Sequence, residues 1–385
     1  MNRVEITLEV VTDMFSEGIN STKEAEFRIT ELKALLRSTF REFFDYTSLD
    51  DLKEKEEVLF GSTNRKSPVI IRFGQNNKIR FKDNKEFVLR KNMFKEAIPS
   101  GTRINIIFQG RNENILKIYL DILKLASITG GLGKRSRKGM GAFKIKEINS
   151  DMLDINKRFG DLLNSYNEFE AGSNRYIIKT RKLSIDEHDV DKYIIYKIEF
   201  DSNMPNIHYV KYLHKIFLGN LTEEESKNKI DDVLKKVSKL THDRLSEGRE
   251  FFCKKTIEKV EKIIGKKFDG DEEFNKEILG NYKEGIVQRF ASPVYVTIYQ
   301  EVQENNIKNY LIIEELNYNY IYDQIINKKV SKKIKELENR NIKITNDIRN
   351  EERKRIASEV EKMKTIDTYY IKEYVNKIKE YCEVK

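Results

Sequence analysis

The chain has 385 residues, with 72 Lys and Arg against 63 Asp and Glu (net charge +9), 39% hydrophobic residues and no tryptophan. That is long enough for two or three packed units and apolar enough to fill real cores, which sets aside a disordered chain. The excess positive charge is modest and by itself points only weakly to a polyanionic partner.

Cys253 and Cys382 are the two cysteines and lie far apart, so neither zinc spacing nor a disulfide framework is present. No apolar run approaches bilayer length, and MNRVEITLEV has charges where a signal peptide needs an apolar core. A cytoplasmic protein without membrane contact is expected.

In chain order, Val4, Ile6, Leu8 and Val10 alternate with polar residues and predict a half-buried strand. Leu32, Leu35, Leu36, Thr39, Phe40 and Phe43 recur at helical spacing and predict an amphipathic helix over 30–44. Ser67-Pro68-Val69-Ile70-Ile71 reads as a strand opened by proline, where the missing N–H costs little. A hairpin arm is expected over 78–89 and a strand over 103–109. The mostly apolar helix over 115–128 must be buried on most faces, ending at Thr129-Gly130-Gly131, where glycine would supply a left-handed cap. Residues 142–148 alternate again. Leaving aside 78–100, the order is β-α-β-β-α-β, the ferredoxin-like arrangement, whose four-stranded sheet also underlies common RNA-recognition modules.

The polar stretch from 150 ends at Ala171-Gly172-Ser173 and marks a junction, giving an N-terminal unit 1–155 and a C-terminal unit 156–385. In the second, 176–182 and 193–200 read as a strand pair. Helices are expected near 208–218, 222–240 and 248–265, with Thr222 and Glu225 as a capping box, then strands near 293–300 and 309–315. Ser292-Pro293-Val294-Tyr295-Val296 echoes Ser67-Pro68-Val69-Ile70-Ile71. The echo suggests two related units in tandem. The expected fold class is therefore α+β: two tandem ferredoxin-like (RRM-like, βαββαβ) units with helical insertions and a helical C-terminal segment. The highly charged stretch 327–364 predicts long exposed helices, its broken heptads arguing against a coiled coil.

The segment Gly130–Gly141 holds five glycines and the four cations Lys134, Arg135, Arg137 and Lys138, without an acid. Glycine lets a backbone approach a ligand and present N–H groups in tight curves, while Arg and Lys neutralise phosphates. Gly131, Gly133, Gly139 and Gly141 are thus candidate RNA-backbone contacts together with the four cations. A mononucleotide site is disfavoured: Met140 follows Gly139 where a phosphate-binding loop needs Lys, and here a helix enters and a strand leaves. On the first helix Lys33, Arg37 and Arg41 fall on one stripe away from the apolar face, extended by Arg28. His188, His208, His214 and His242 show no metal-ligand spacing and no catalytic grouping. No active site, metal or cofactor is expected.

Several of these residues together resemble a known family. The stretch Gly131–Phe143 resembles the glycine-rich signature of the RAMP superfamily of CRISPR-associated proteins. Within it, the chain is similar to the subfamily of the first-numbered subunit of the Cmr (type III-B) module. The similarity lies at Met14-Phe15 with Gly18, at Arg28 with Leu32–Arg37 and Phe40-Arg41, at Glu57–Ser62, at Ser67-Pro68-Val69 and at Arg289–Pro293. It covers the first 150 residues well and the rest thinly. Ser38 and Thr39 stand where aromatic residues are expected, and the second unit lacks a glycine-rich loop of its own.

The resemblance implies a non-catalytic subunit of an RNA-guided, RNA-targeting effector complex in antiviral defence. Its partners would be guide RNA, target RNA and other Cmr subunits, with contacts to the 3′ region of the guide and to backbone rather than bases. The alternative within the superfamily is an endoribonuclease that processes guide precursor. Such enzymes carry the loop near the C-terminus and a general-base histidine near the N-terminus, whereas here the loop comes early and the first histidine is His188.

Overall fold

A computed structural model describes residues 1–16, 25–75, 79, 82–83, 96–155, 159–163, 166–171, 174–189, 192–199, 209–246, 293–302, 306–317 and 319–383, with isolated positions between 258 and 267. The first sheet contains β1 (Asn2–Val10), β2 (Val69–Phe73), β5 (Arg103–Gly110) and β6 (Phe143–Ile148) in the order β2-β5-β1-β6. A small pair, β3 (Lys82–Asp83) with β4 (Glu96–Ala97), precedes β5; the rest of the hairpin arm expected over 78–89 lies outside the described residues. All pairings of the first sheet are antiparallel, with Ile6 opposite Ile106 on one side and Ile148 on the other.

Helix α1 (Ile29–Phe43) follows β1, and α3 (Glu113–Thr129) joins β5 to β6. This is the ferredoxin-like order expected for the first unit. An additional helix, α2 (Leu49–Phe60), is not foreseen by the sequence pattern. It is N-capped by Ser48, whose Oγ accepts from the Asp51 N–H.

The first packed unit runs further than residue 155. The short helix α4 (Phe159–Leu162) and the hairpin β7 (Tyr166–Ala171) with β8 (Asn174–Lys179) add Phe159, Leu162, Phe169 and Ile178 to the same core as β1 and α3. Their apolar side chains find a partner in α3, so a polar-looking stretch is tied down rather than acting as a junction.

The second sheet is five-stranded, in the order β12-β13-β11-β10-β9, from β9 (Leu183–Asp189), β10 (Tyr193–Ile198), β11 (Val210–Leu221), β12 (Val294–Val302) and β13 (Ile307–Leu316). Three expectations change here. The strands near 176–182 and 193–200 do not pair with each other; they belong to different sheets. The helix expected near 208–218 is the central strand β11. It is buried on both faces at His214 and Leu213, so its apolar residues do not alternate and its periodicity misleads. A second βαββαβ unit is also not what the strands spell. β11, β12 and β13 hold the same relative places as β1, β2 and β5, but the fourth place is taken by β10, from upstream.

The proline echo survives: Pro68 and Pro293 each precede the edge strand of their sheet. Helix α5 (Glu223–Ser246) begins at the expected capping box, with Thr222 N–H donating to Glu225 Oε2 at 3.0 Å. Most of the helix expected over 248–265 lies outside the described residues. Helices α6 (Asn319–Glu338) and α7 (Asn346–Tyr381) realise the charged segment as an antiparallel pair closed by a small cluster of Val330, Ile334, Ile356 and Val360.

Fourteen of the seventeen residues of α3 are buried. An all-round apolar helix needs cover on every side, and α3 obtains it by lying between α1, the first sheet and the second-sheet strands β12 and β13. One core therefore runs from Ile6 and Leu123 into Leu213, Ile312 and Leu316. The second core, with Val233, Leu234, Val296 and Ile313, takes in Val11, Phe15, Met140 and Ala142 from the first half of the chain.

Candidate nucleic-acid interface

The segment Gly130–Gly141 forms at the end of α3, in the seam between the two sheets. Gly130 caps α3 by donating its N–H to Ala126 O at 2.9 Å. Its φ of −110° is extended, not the left-handed cap expected. Glycine stands there for space: a Cβ would lie 2.7 Å from Leu35 Cδ1.

Positive φ does occur at Gly141, at +68°, where a Cβ would lie 1.8 Å from Leu132 O, since the loop closes on itself through Leu132 N–H to Gly141 O at 2.9 Å. At Gly139, also of positive φ, a Cβ would collide with Leu234 of α5 at 2.3 Å. Gly133 and Gly131 are similarly crowded by Phe15 O and Met140 O.

The glycines therefore permit close approach of protein to protein, not of protein to ligand. Several loop N–H groups are engaged as well: Lys134 donates to Phe15 O (2.6 Å), Gly141 to Asp13 O (3.0 Å), Lys138 to Arg135 O (2.9 Å) and Gly139 to Ser136 O (3.2 Å). For Gly139 and Gly141 this revises the expectation that glycine backbone amides cradle phosphate. What the loop can offer a polyanion is its side chains.

Those side chains stand on a fixed base. Thr12 Oγ1 donates to Gly139 O (2.7 Å) and accepts from Ala142 N–H (2.9 Å). From the other unit, Val296 N–H donates to Arg137 O (3.1 Å), Lys138 pairs in parallel with Val296, and Thr297 Oγ1 donates to Gly130 O (2.8 Å). Lys134 and Arg137 are exposed, while Arg135 and Lys138 are half-buried. The Arg137 guanidinium lies over the Tyr295 ring, 4.6 Å from its centroid.

Helix α1 runs along the seam, and its cations divide. Arg41 makes a two-pronged pair with Glu56 of α2 (Nε–Oε2 and Nη2–Oε1, both 2.6 Å). Arg37 reaches the same carboxylate at 3.2 Å and donates to Gly61 O at 2.7 Å. These two fasten α1 to α2 instead of forming the open basic stripe expected. Arg28 pairs with Glu31. Lys33 is exposed.

Three residues with no signal in the sequence complete the seam. Arg181 is 3% exposed, donates to the carbonyls of Arg41 and Glu42 at the end of α1, and lies between the rings of Tyr46 (4.9 Å) and Tyr209 (5.0 Å). Cations at a helix C-terminus answer its dipole.

Two carboxyl groups lie beneath. Burial raises Glu42 to about 7, against the opposing pull of Ser38, Arg137, Arg181 and Arg41. Burial, then the Glu42 charge, raises Glu314 well above the ordinary range.

Among the described residues no histidine joins this seam: His214 is buried on β11 with Nε2 2.5 Å from Glu315 Oε1 and His188 lies on β9, while His208 and the His242 side chain lie outside the described residues. Gly18 and Arg289–Ser292 also lie outside them. Among the described residues no three His, Cys, Asp or Glu side chains gather as a metal site, and no helix is long and apolar enough to cross a membrane.

Residues 7–144, from β1 through the loop into β6, match the RAMP superfamily. Two curated proteins of Pyrococcus furiosus are similar. CRISPR system Cmr subunit Cmr1-1 is 26% identical over 200 residues, 46% of this chain and 58% of that protein. CRISPR system Cmr subunit Cmr1-2 is 23% identical over 183 residues, 38% of this chain and 96% of that protein. The alignment thus spans less than two thirds of the first relative. Among solved structures, the apo crystal structure of Cmr1 from Pyrococcus furiosus aligns with a TM-score of 0.44 at 15% identity, covering 82% of this chain and 88% of that one. A subunit of the type III-B Cmr-beta complex bound to cognate target RNA aligns with a TM-score of 0.42 at 14% identity, covering 82% and 94%. The glycine-rich loop and the sheet that carries it fall within the stretch that matches the RAMP superfamily, and the chain is similar there to Cmr subunit 1.

Proposed function

We propose that this chain is a non-catalytic, RNA-binding subunit of a type III-B CRISPR (Cmr) effector complex, contributing backbone contacts to the 3′ region of the guide RNA or to the target RNA. The observation that carries this is the display of Lys134 and Arg137 on a loop hydrogen-bonded into both sheets. Fixed cations without base-reading side chains suit phosphate contacts, with specificity left to guide–target pairing. Similarity to Cmr subunits supports the setting. Exposed Lys33 is the member of the α1 stripe free of the Glu56 clamp, so it joins the loop cations as a contact.

The test is filter binding of single-stranded RNA across a salt series. Replacing Lys134 and Arg137 by serine should weaken binding and flatten its salt dependence by about 0.7 per lost phosphate contact. Unchanged binding would remove the loop from the interface. Metal-independent cleavage of repeat RNA by the purified chain would instead favour the endoribonuclease alternative.

A further inference from the structure

The two faces of the second sheet are treated differently. One packs Ile216, Leu311 and Ile313 against α5 and α7. The other carries Lys215, Phe217, Tyr310 and Tyr299, brought side by side by the pairings Phe217 with Tyr310 and Tyr310 with Tyr299. Helix α3 covers this face only at the Thr297–Tyr299 end, where Lys124 lies over the Tyr299 ring. At the Phe217 end a pocket of about 280 Å³ remains, lined by Lys192, Lys215, Lys308, Phe217, Tyr310 and Asp189 among others.

The rings in this pocket form a ladder: Phe217 to Tyr310 at 5.6 Å and Tyr310 to Tyr299 at 5.9 Å between centroids. The middle of the ladder is fixed. Lys215 lies 4.0 Å over Tyr310 and pairs with Glu301 at 2.9 Å, and the Tyr310 hydroxyl donates to Glu301 at 3.2 Å. With Lys215 answered by Glu301, Lys192 and Lys308 supply the pocket's remaining positive charge. Lys192 is held beside the ladder because its carbonyl accepts from Phe217 N–H at 2.8 Å. Half-exposed rings flanked by lysines on a sheet face match the chemistry of a stacked base with phosphates on either side.

We propose that this face is a second RNA site, in which a base of single-stranded RNA stacks at Phe217 and Tyr310 while Lys192 and Lys308 hold the neighbouring phosphates. Charge and shape select the occupant. An acidic peptide would not need the rings, and a duplex does not expose its base faces. The site rests on the RNA-binding reading above but uses none of the loop residues, so the two can fail separately.

The test is binding of a uridine decamer to the full chain, with ultraviolet crosslinking and peptide mapping. Crosslinks within 210–221 or 307–316 are expected. Phe217→Leu and Tyr310→Leu should each weaken binding about tenfold, whereas Tyr310→Phe, which keeps the ring and loses only the hydroxyl bond to Glu301, should weaken it less than Tyr310→Leu. Lys192→Ser with Lys308→Ser, one exposed and the other half-buried, should flatten the salt slope by about 0.7 per lysine.

Normal binding by the leucine and serine variants, with crosslinks confined to the loop, would overturn the second site and leave the proposed function standing. Absence of decamer binding by the parent chain would overturn both. Equal competition by free uridine monophosphate would overturn the strand assignment in favour of a mononucleotide pocket.

Discussion

Leu234 on α5 occupies the space that any side chain at Gly139 would require: a Cβ there would fall 2.3 Å from Leu234 Cδ2. Two residues 95 positions apart thus set how closely the loop can seat against the second unit. Gly139→Ala should destabilise the protein by about 2–3 kcal/mol, from overpacking together with the left-handed φ of +85°. Thermal unfolding measures it, and in a Leu234→Ala background, itself destabilised by the lost core side chain, Gly139→Ala should cost less because the space is open.

Glu56, 9% exposed, receives both Arg37 and Arg41. Glu56→Ala should cost about 1–2 kcal/mol by urea denaturation, since it leaves two guanidinium groups without their shared acceptor. Arg41→Ala should cost less than about 1 kcal/mol, its side chain being 50% exposed.

Lys33 and Arg37, on the same helix, separate a binding role from a structural one. Lys33→Ala should leave the melting temperature unchanged and lower RNA affinity, measured by filter binding. Arg37→Ala should lower stability, through its lost bonds to Gly61 O and Glu56, with little specific change in the salt slope.

Glu42 and Glu314 make stability depend on pH in a definite direction. Both carboxyls are raised in the fold, Glu42 to about 7, so each is held more readily protonated than in the unfolded chain. The favourable contribution of Glu42 is fully present below the ordinary carboxylate range and is lost as pH rises through about 7, and that of Glu314 is likewise present at low pH and lost as pH rises. Glu42→Gln should therefore stabilise the chain at pH 8, on the order of 2 kcal/mol, with the gain vanishing near pH 4. Glu314→Gln should act in the same direction. A gain independent of pH would show that packing, not ionisation, is responsible. Arg137, Arg181 and Arg41 face Glu42 and keep the shift from growing larger.

Much of the first unit was legible from pattern. Val4–Val10 alternates because β1 has one buried face toward α1 and α3, and Leu32, Leu36 and Phe40 recur because α1 buries one stripe. The all-apolar α3 announced that something must cover every side of it, although the covering sheet was not nameable from α3 itself. What misled was two-sided burial at β11, where Leu213 and His214 both point into protein and erase the period of two.

The loop lies between a helix and a strand as its spacing implied, but the crowding around its glycines was not legible. Crowding by Phe15, Leu234 and Leu132 depends on residues distant in sequence, and no local spacing encodes it. The stripe of Arg37 and Arg41 looked available because their acceptor, Glu56, arrives on a helix that the pattern did not reveal. Arg181 gave no signal at all, since a single arginine between two strands becomes meaningful only where Tyr46 and Tyr209 close around it.

The parallel bridge between Lys138 and Val296 has a mechanical consequence. A tug on the loop cations is transmitted along backbone, through Arg137 O and Val296 N, straight into an edge strand of the other half. The two halves cannot respond to such a load independently, so a strand of RNA drawn across the loop would meet one continuous lever rather than a hinge.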